Sequence, residues 1–265
     1  MKFLPHIHDL LFITFDTLRY DVAVRGLAEG RTPFLASLLP DGWERRHSPG
    51  TFTYAAHHAF FAGFLPTPAA PGKHPRLFAA RFPGSETTSD ATHVFDAPDI
   101  VTGLAAMGYH TLCIGGVGFF NPAFPLGRVL PSLFAESYWS PEMSVTSPRS
   151  TELQVQMACD RLAALPDAQR AFMFLNLSAL HQPNCIFTPG ATEDTSDTQL
   201  TALTYVDAHL APLFAAMQRR APVFAILCAD HGTAYGEEGY TGHRLAHSVV
   251  WDVPYAEMIL DKVNL

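Results

Sequence analysis

The stretch Ala221–His247 reads APVFAILCADHGTAYGEEGYTGHRLAH and joins an apolar run to residues of the kinds that bind metals. The run Val223–Cys228 shows no alternation, which is typical of a strand covered on both faces of a parallel sheet. It leads into Asp230 and His231, and a further imidazole follows at His243. Because ligands collect at the carboxyl ends of strands in an open α/β sheet, this stretch predicts a cation site. The alternative is a turn in which the Asp and the following Gly serve the backbone alone.

Two other apolar runs also end near polar residues. Leu10–Phe15 is followed by Asp16, and Ala171–Leu177 is followed, after a short turn, by His181. Stretches with helical periodicity, such as 150–165 and 195–220, alternate with the apolar runs. This alternation predicts an α/β fold with a doubly wound, mostly parallel central sheet flanked by helices.

Thr53 precedes a segment of helical composition, 54–63, which ends at a glycine. We therefore expect Thr53 to be the N-cap of this helix. A hydroxyl there lies beside the free backbone N–H groups and the positive end of the helix dipole, where a phosphate or sulfate oxygen is stabilised. The alternative is an ordinary capping threonine without a ligand.

Composition limits the classes of partner. With 265 residues, 48% of them hydrophobic, the chain is expected to form one domain over residues 1–265. A net charge of -8 without a basic run argues against nucleic acid and against an anionic membrane. The apolar stretch near the start is too short for a signal segment or a membrane span, so we expect a cytoplasmic protein. Composition does not indicate the oligomeric state.

A segment rich in Pro, Gly, Ser and Thr interrupts the alternation at about 64–97. It predicts a loop-rich insertion, with one strand near Leu77–Ala80, that covers the substrate side of the domain.

Taken in chain order, these segments resemble the sulfatase-like branch of the alkaline phosphatase superfamily. The resemblance spans nearly the whole chain and rests on matching motifs at Ile13–Asp21, Thr53–Gly63, Gly108–Thr111, His181–Pro183, Tyr205–Asp207, Asp230–Gly232, Gly242–His243 and Val253–Pro254.

Departures from the family pattern indicate which members of the superfamily the chain resembles most. True sulfatases carry a Cys or Ser that is oxidised to an aldehyde, and Thr53 at that position cannot form one. The chain is therefore similar to the threonine-nucleophile members, which include nucleotide pyrophosphatases and phosphoethanolamine or phosphoglycerol transferases. Thr17 and Leu177 stand where other members have carboxylates, which argues against a complete second metal site. The large C-terminal subdomain of sulfatases has no counterpart in this sequence.

The resemblance implies a metal site with a nucleophile. Asp16, Asp230 and His231 would hold one divalent cation, which the sequence does not identify among Zn, Mn, Mg and Ca. Thr53 would be both a ligand and the nucleophile, because a bound cation lowers the pKa of its hydroxyl.

The resemblance also assigns three histidines to the site. His181 and His243 would stabilise the charge that develops on the phosphoryl group, and His243 could instead bind the metal. His57 would position Thr53 or the bound anion. Arg19 and Asp21 would form a supporting ion pair close to the first strand end.

These assignments predict a metal-dependent hydrolase of phosphate monoesters or diesters that acts on a small phosphate-ester substrate. One alternative is a phosphotransferase that uses the same phospho-threonine. Another is a catalytically inactive pseudoenzyme that binds an anion. A true sulfatase ranks last.

Overall fold

The computed structural model describes residues 5–63 and 99–263, together with two short strands at Arg76–Phe78 and Thr92–Val94. The first of these strands overlaps the one predicted near Leu77–Ala80. The rest of the predicted insertion at about 64–97 lies outside the described residues, and so does its predicted role over the substrate side.

A seven-stranded sheet forms the centre of the described part of the chain. Its strands in chain order are β1 (Asp9–Phe15), β2 (Glu44–His47), β5 (His110–Ile114), β6 (Glu136–Tyr138), β7 (Ala171–Leu177), β8 (Val223–Cys228) and β11 (Asp252–Leu260). Two smaller pairs are β3 (Arg76–Phe78) with β4 (Thr92–Val94), and β9 (Ala234–Tyr235) with β10 (Thr241–Gly242). The order across the central sheet is β2, β11, β8, β1, β7, β5, β6, and β11 runs antiparallel to both of its neighbours. The strands β8, β1, β7, β5 and β6 pair in parallel, which confirms the predicted doubly wound, mostly parallel sheet.

Helices cover both faces of this sheet. They are α1 (Tyr20–Ala28), α2 (Pro33–Leu38), α3 (Thr53–Ala62), α4 (Ile100–Ala106), α5 (Pro125–Val129), α6 (Ser150–Ala164), α7 (Ser196–Arg220) and α8 (Ser248–Trp251). On one face, Leu11, Ile13 and Phe15 of β1 share a buried cluster with residues of α1, α2, α6 and α7. On the other face, Phe172 and Phe174 of β7 pack with residues of α3 and α4. Two apolar faces explain why the central strands have continuous apolar runs.

Helix α7 is long and apolar enough to cross a membrane by length and composition. However, 56% of its apolar window is buried inside the domain, where the helix packs against α6, α1 and the sheet. This packing is that of a core helix.

The edge strands were not predicted from the sequence. All four residues of β2, Glu44–His47, are exposed, so no apolar pattern marks this strand. Strand β6, Glu136–Tyr138, is short and only partly buried. Edge strands of this kind are specified by pairing with a neighbouring strand rather than by burial.

Candidate metal and nucleophile site

Four of the residues predicted to bind metal meet at one edge of the sheet. The possible ligand atoms of Asp16, Asp230 and His231 all lie within 4.8 Å of one another. The hydroxyl Oγ1 of Thr53 lies 3.3 Å from Asp16 Oδ2 and 3.3 Å from His231 Nε2. All four residues are buried. The structure therefore brings together residues that are far apart in the sequence.

The strand register explains why the two carboxylates meet. Thr14 of β1 pairs with Cys228 of β8 in a parallel ladder. Two residues further along each strand, Asp16 and Asp230 leave the sheet at the same level and in the same direction.

Thr53 reaches the same edge because helix α3 begins there. The N-cap of this helix is Phe52, and Thr53 is the first helical residue, so the prediction of Thr53 as N-cap was off by one position. The Thr53 hydroxyl points at Asp16 and His231. This leaves the first turn of α3 beside the cluster, with its positive dipole end toward it.

Asp230 has one satisfied and one unsatisfied carboxylate oxygen. Its Oδ1 accepts the backbone N–H groups of Thr17 and His231 at 3.1 and 3.0 Å. Its Oδ2 is buried and has no hydrogen-bond partner within the described ranges 5–63 and 99–263. Burial, followed by the negative charge of Asp16, raises the pKa of Asp230 well above its usual value.

An unpaired buried carboxylate oxygen is costly, and a cation would satisfy it. The set of two carboxylates, one imidazole and one hydroxyl suits a divalent metal ion. The residues present therefore fit the metal that the family resemblance implies.

Asp16, in contrast, is fully hydrogen-bonded. Its Oδ1 accepts the hydroxyl of Thr17 at 2.7 Å, and its Oδ2 accepts the side-chain amide of Asn176 at 2.9 Å. Burial raises the pKa of Asp16, but the electrostatic interactions with the imidazoles of His181 and His231 and these two hydrogen bonds outweigh it, so the pKa lies below its usual value. Asp16 is therefore the ionised partner of the carboxyl pair.

The sequence did not predict the roles that Thr17 and Asn176 have at this site. Thr17 has a left-handed backbone, with φ 67°, which is uncommon for a β-branched residue and puts its N–H on Asp230 and its hydroxyl on Asp16. Asn176 bonds Asp16, and its Oδ1 accepts the backbone N–H of Val117 at 3.1 Å. A single Asn inside the apolar run of β7 was a signal that could have identified it, because a buried amide needs partners.

His57 lies behind Thr53. Its Nδ1 donates to the carbonyl of Thr53 at 2.7 Å, and its Nε2 is 3.1 Å from the hydroxyl of Thr14 on β1. Burial lowers the pKa of His57 to about 4, so the ring is neutral at pH 7. Both nitrogens are engaged, and the ring connects the first turn of α3 to the central strand. Of the two predicted roles, this geometry fits the positioning of Thr53.

His181 and His243 lie on the other side of Thr53. Their ring centroids are 5.7 Å apart, and the ring of His243 is 4.7 Å from that of His231. His181 Nδ1 donates to the carbonyl of Gln182 at 2.6 Å, whereas the buried Nδ1 of His243 has no partner among the described atoms. Burial, and then the charge of His181, lower the pKa of His243. Together with Thr53, both rings line a cavity of about 360 Å³.

The buried guanidinium of Arg19 forms ion pairs with two more exposed carboxylates, and one of these pairs connects the two strand-end loops. Arg19 bonds Asp21 at 2.7 Å, which confirms the predicted pair, and it also bonds Glu237. The guanidinium lies 5.7 Å from the centre of the Tyr235 ring. Arg19 therefore joins the segment after Asp16 to the segment after His231.

Comparisons with known proteins give structural matches only. No protein-family model and no curated protein sequence matches the chain. The C-terminal periplasmic domain of phosphoethanolamine transferase EptC from Campylobacter jejuni is similar, with 15% identity, a TM-score of 0.65, and coverage of 97% of this chain and 80% of that one. The periplasmic domain of EcEptC from Escherichia coli, solved as a complex with Zn, has 13% identity and a TM-score of 0.63, covering 94% and 72%. A protein of the alkaline phosphatase superfamily from Vibrio parahaemolyticus has 20% identity and a TM-score of 0.61, covering 97% and 60%.

The similarity over nearly the whole chain confirms the predicted alkaline phosphatase superfamily fold. It also corrects the predicted location. The similar domains from C. jejuni and E. coli are periplasmic, so the prediction of a cytoplasmic protein was wrong. That prediction relied on the first residues of the sequence. In those two proteins the matching unit is the C-terminal domain, and the first residues of such a unit do not indicate its compartment.

Proposed function

We propose, from the superfamily fold and the cluster around Thr53, that the chain is a metal-dependent enzyme that acts on phosphate esters through Thr53. The observation that carries this proposal is the position of Thr53 Oγ1, which begins α3 and lies 3.3 Å from both Asp16 Oδ2 and His231 Nε2. A hydroxyl between metal-type ligands and a helix N-terminus has the surroundings of an activated nucleophile.

Asp16, Asp230 and His231 would hold the divalent ion, with Thr53 beside them. When bound, such an ion lowers the pKa of a coordinated hydroxyl and neutralises charge on a phosphoryl group. The zinc complex of the similar E. coli domain makes zinc the first metal to test, with manganese, magnesium and calcium as alternatives.

Other groups of the chain would bind the phosphoryl group, orient Thr53 and donate to the departing oxygen. The first turn of α3 offers backbone N–H groups and its positive dipole end to the phosphoryl oxygens. His57 fixes this turn through the Thr53 carbonyl, and Asp16 Oδ2 accepts a hydrogen bond from the Thr53 hydroxyl and so orients it before attack. His181 and His243 line the same cavity as Thr53 and would donate to the phosphoryl group or to the departing oxygen.

Hydrolysis and transfer share the first step, in which Thr53 Oγ1 loses its proton and forms a bond to phosphorus. The bond between phosphorus and the ester oxygen breaks, and the alcohol leaves with one proton, which balances the proton that Thr53 loses. In hydrolysis, water then releases the phosphoryl group, whereas in transfer an acceptor alcohol does so. The similar C. jejuni protein is a phosphoethanolamine transferase, which favours testing transfer as the second candidate.

The test is turnover of aryl phosphate monoesters, diesters and phosphonate esters by the zinc-loaded protein, with aryl sulfate for comparison. Elemental analysis of the purified protein accompanies it. Mass spectrometry after rapid acid quench should show a phosphorylated Thr53, and added alcohol should divert product from free phosphate if the enzyme is a transferase. Absence of bound metal together with no turnover of any ester would overturn the proposal in favour of an anion-binding pseudoenzyme.

A further inference from the structure

The cavity beside Thr53 is polar at one end and apolar over the rest of its wall. Thr53, His181 and His243 form the polar end. The remaining wall consists of Val117, Gly118, Phe119, Phe124, Leu126, Gly127 and Val145. Within the described part of the chain, no Asp, Glu, Lys or Arg lines the cavity. Among the described residues, the wall therefore offers no ion-pair partner to a charged group.

The apolar wall is supported by aromatic contacts. The ring of Phe119 packs against the rings of Phe52 and Tyr54, at centroid distances of 6.4 and 5.4 Å. Phe52 and Tyr54 flank Thr53 in sequence, so the wall is attached to the same turn that carries the nucleophile. Phe124, at the outer edge, is 60% exposed and marks the open side.

We propose that this cavity binds an uncharged apolar group, alkyl or aryl, of the phosphate ester whose phosphoryl group lies at Thr53. The inference rests on the proposed function and names its substrate class. A volume of about 360 Å³ is in the lower part of the range for small-molecule sites, which suits a short chain or a single ring. An ammonium group there would be buried without a counter-charge, which is unfavourable.

Two phosphonates of nearly equal size test the inference. Propylphosphonate and 2-aminoethylphosphonate share the anionic head and differ only at the end of the chain, where one has a methyl and the other an ammonium group. Calorimetric titration of the zinc-loaded protein should give a Kd for propylphosphonate at least about tenfold lower.

A glycine substitution supplies the matched variant. A Cβ at Gly118 would meet no atom within 4 Å, so Gly118→Leu has room to extend into the open space of the cavity. A Cβ at Gly103 in α4 also meets nothing within 4 Å, and Gly103 does not line the cavity. Gly118→Leu should reduce the preference for propylphosphonate over methylphosphonate by about tenfold, whereas Gly103→Leu should leave that preference unchanged.

The outcomes separate this inference from the function on which it rests. If aryl phosphates are turned over but the aminoethyl compound binds as tightly as the propyl compound, the apolar assignment is wrong and the enzyme assignment stands. If Gly118→Leu and Gly103→Leu change the preference for propylphosphonate over methylphosphonate equally, the apolar assignment is also wrong. If neither phosphonate binds and no ester is turned over, both the proposed function and the inference fail.

Discussion

The two sides of the Thr53 site are built in different ways. The ligand side consists of Asp16, Asp230 and His231, which directly follow adjacent parallel strands and have 0% exposure. The cavity side comes mainly from the connection 117–127, which contains only short helices and includes the 60% exposed Phe124.

This difference indicates a division of labour between framework and connection. Strand ends hold groups at fixed positions because the ladder and two packed faces restrain them. Connections tolerate changes of sequence and so are suited to selecting the substrate. Substitutions on the ligand side should therefore alter metal binding and rate, and substitutions on the cavity side should alter the choice of ester.

The largest effect is expected at the nucleophile. Thr53→Ala should lower kcat/KM for an aryl phosphate by about a thousandfold or more, because the attacking oxygen is removed. Thr53→Ser should retain measurable turnover and a phosphorylated residue at this position. Thr51→Ala is the matched control, since Thr51 lies just before the helix and its carbonyl accepts the N–H of Arg244. Full activity in Thr53→Ala would contradict the proposed role of Thr53 as the nucleophile.

Substitutions of two buried aspartates, Asp230 and Asp207, distinguish a loss of zinc binding from a loss of stability. Asp230→Asn should weaken zinc binding by at least about a hundredfold, yet it should not destabilise the metal-free protein, because the amide oxygen can still accept the N–H groups of Thr17 and His231 and the Oδ2 that it replaces has no hydrogen bond to lose. Calorimetric zinc titration and urea unfolding in the presence of a chelator measure the two effects.

Asp207→Asn is the control for Asp230→Asn. Asp207 lies in α7 and accepts the N–H groups of Phe34 and Leu35 at 3.0 and 2.7 Å, at the start of α2. Its substitution should cost about 1–2 kcal/mol in the free energy of unfolding and leave zinc affinity unchanged. Equal zinc affinities in the two variants would remove Asp230 from the ligand set.

A smaller effect is expected at Thr17, which touches both carboxylates. Thr17→Val keeps the branched shape but removes the hydroxyl that donates to Asp16, so zinc affinity should fall by about tenfold to a hundredfold. Thr17→Ser should bind zinc nearly as well as the natural chain. If Val and Ser behave alike, the hydroxyl does not position Asp16.

The smallest effect is the pH dependence of the free energy of unfolding that His58, beside the cavity wall, contributes. His58 is 6% exposed, and its ring lies 4.1 Å from that of Tyr54, which supports Phe119. Burial, and then the electrostatic effect of the neighbouring His57 imidazole, lower the pKa of His58 from 6.5 to about 4. A lowered histidine pKa means that the folded state favours the neutral ring. Its contribution to stability is complete above pH 6.5 and is lost as the pH falls toward 4.

Between pH 8 and pH 5.5, this group should remove about 1–1.5 kcal/mol from the free energy of unfolding. His58→Leu should lack that part of the decline, while other titrating groups are common to both proteins. Urea unfolding of both proteins at the two pH values measures the difference. Identical pH dependence would show that burial does not hold His58 neutral.

The residues of the ligand side could largely be predicted from the sequence, whereas the individual residues of the cavity wall could not. Asp16, Asp230 and His231 each follow the end of an apolar strand, and parallel strands bring such ends to one edge. Residues such as Phe119 and Leu126 follow no period, because their neighbours are set by how the connection folds over α3. The expected N-cap role of Thr53 was wrong by one residue, since helix ends depend on local geometry that composition does not specify.

By itself, the sequence determined the doubly wound sheet and the edge at which its polar residues gather, because continuous apolar runs and helical periodicity are local properties of the chain. Only the tertiary structure decided that Thr17 bridges two carboxylates, that Asn176 bonds one of them, and that His57 is a neutral support behind Thr53. The physical reason is that hydrogen bonds and the pKa values of buried groups depend on which distant segments meet. That meeting is fixed by the packing of the whole domain rather than by any one stretch.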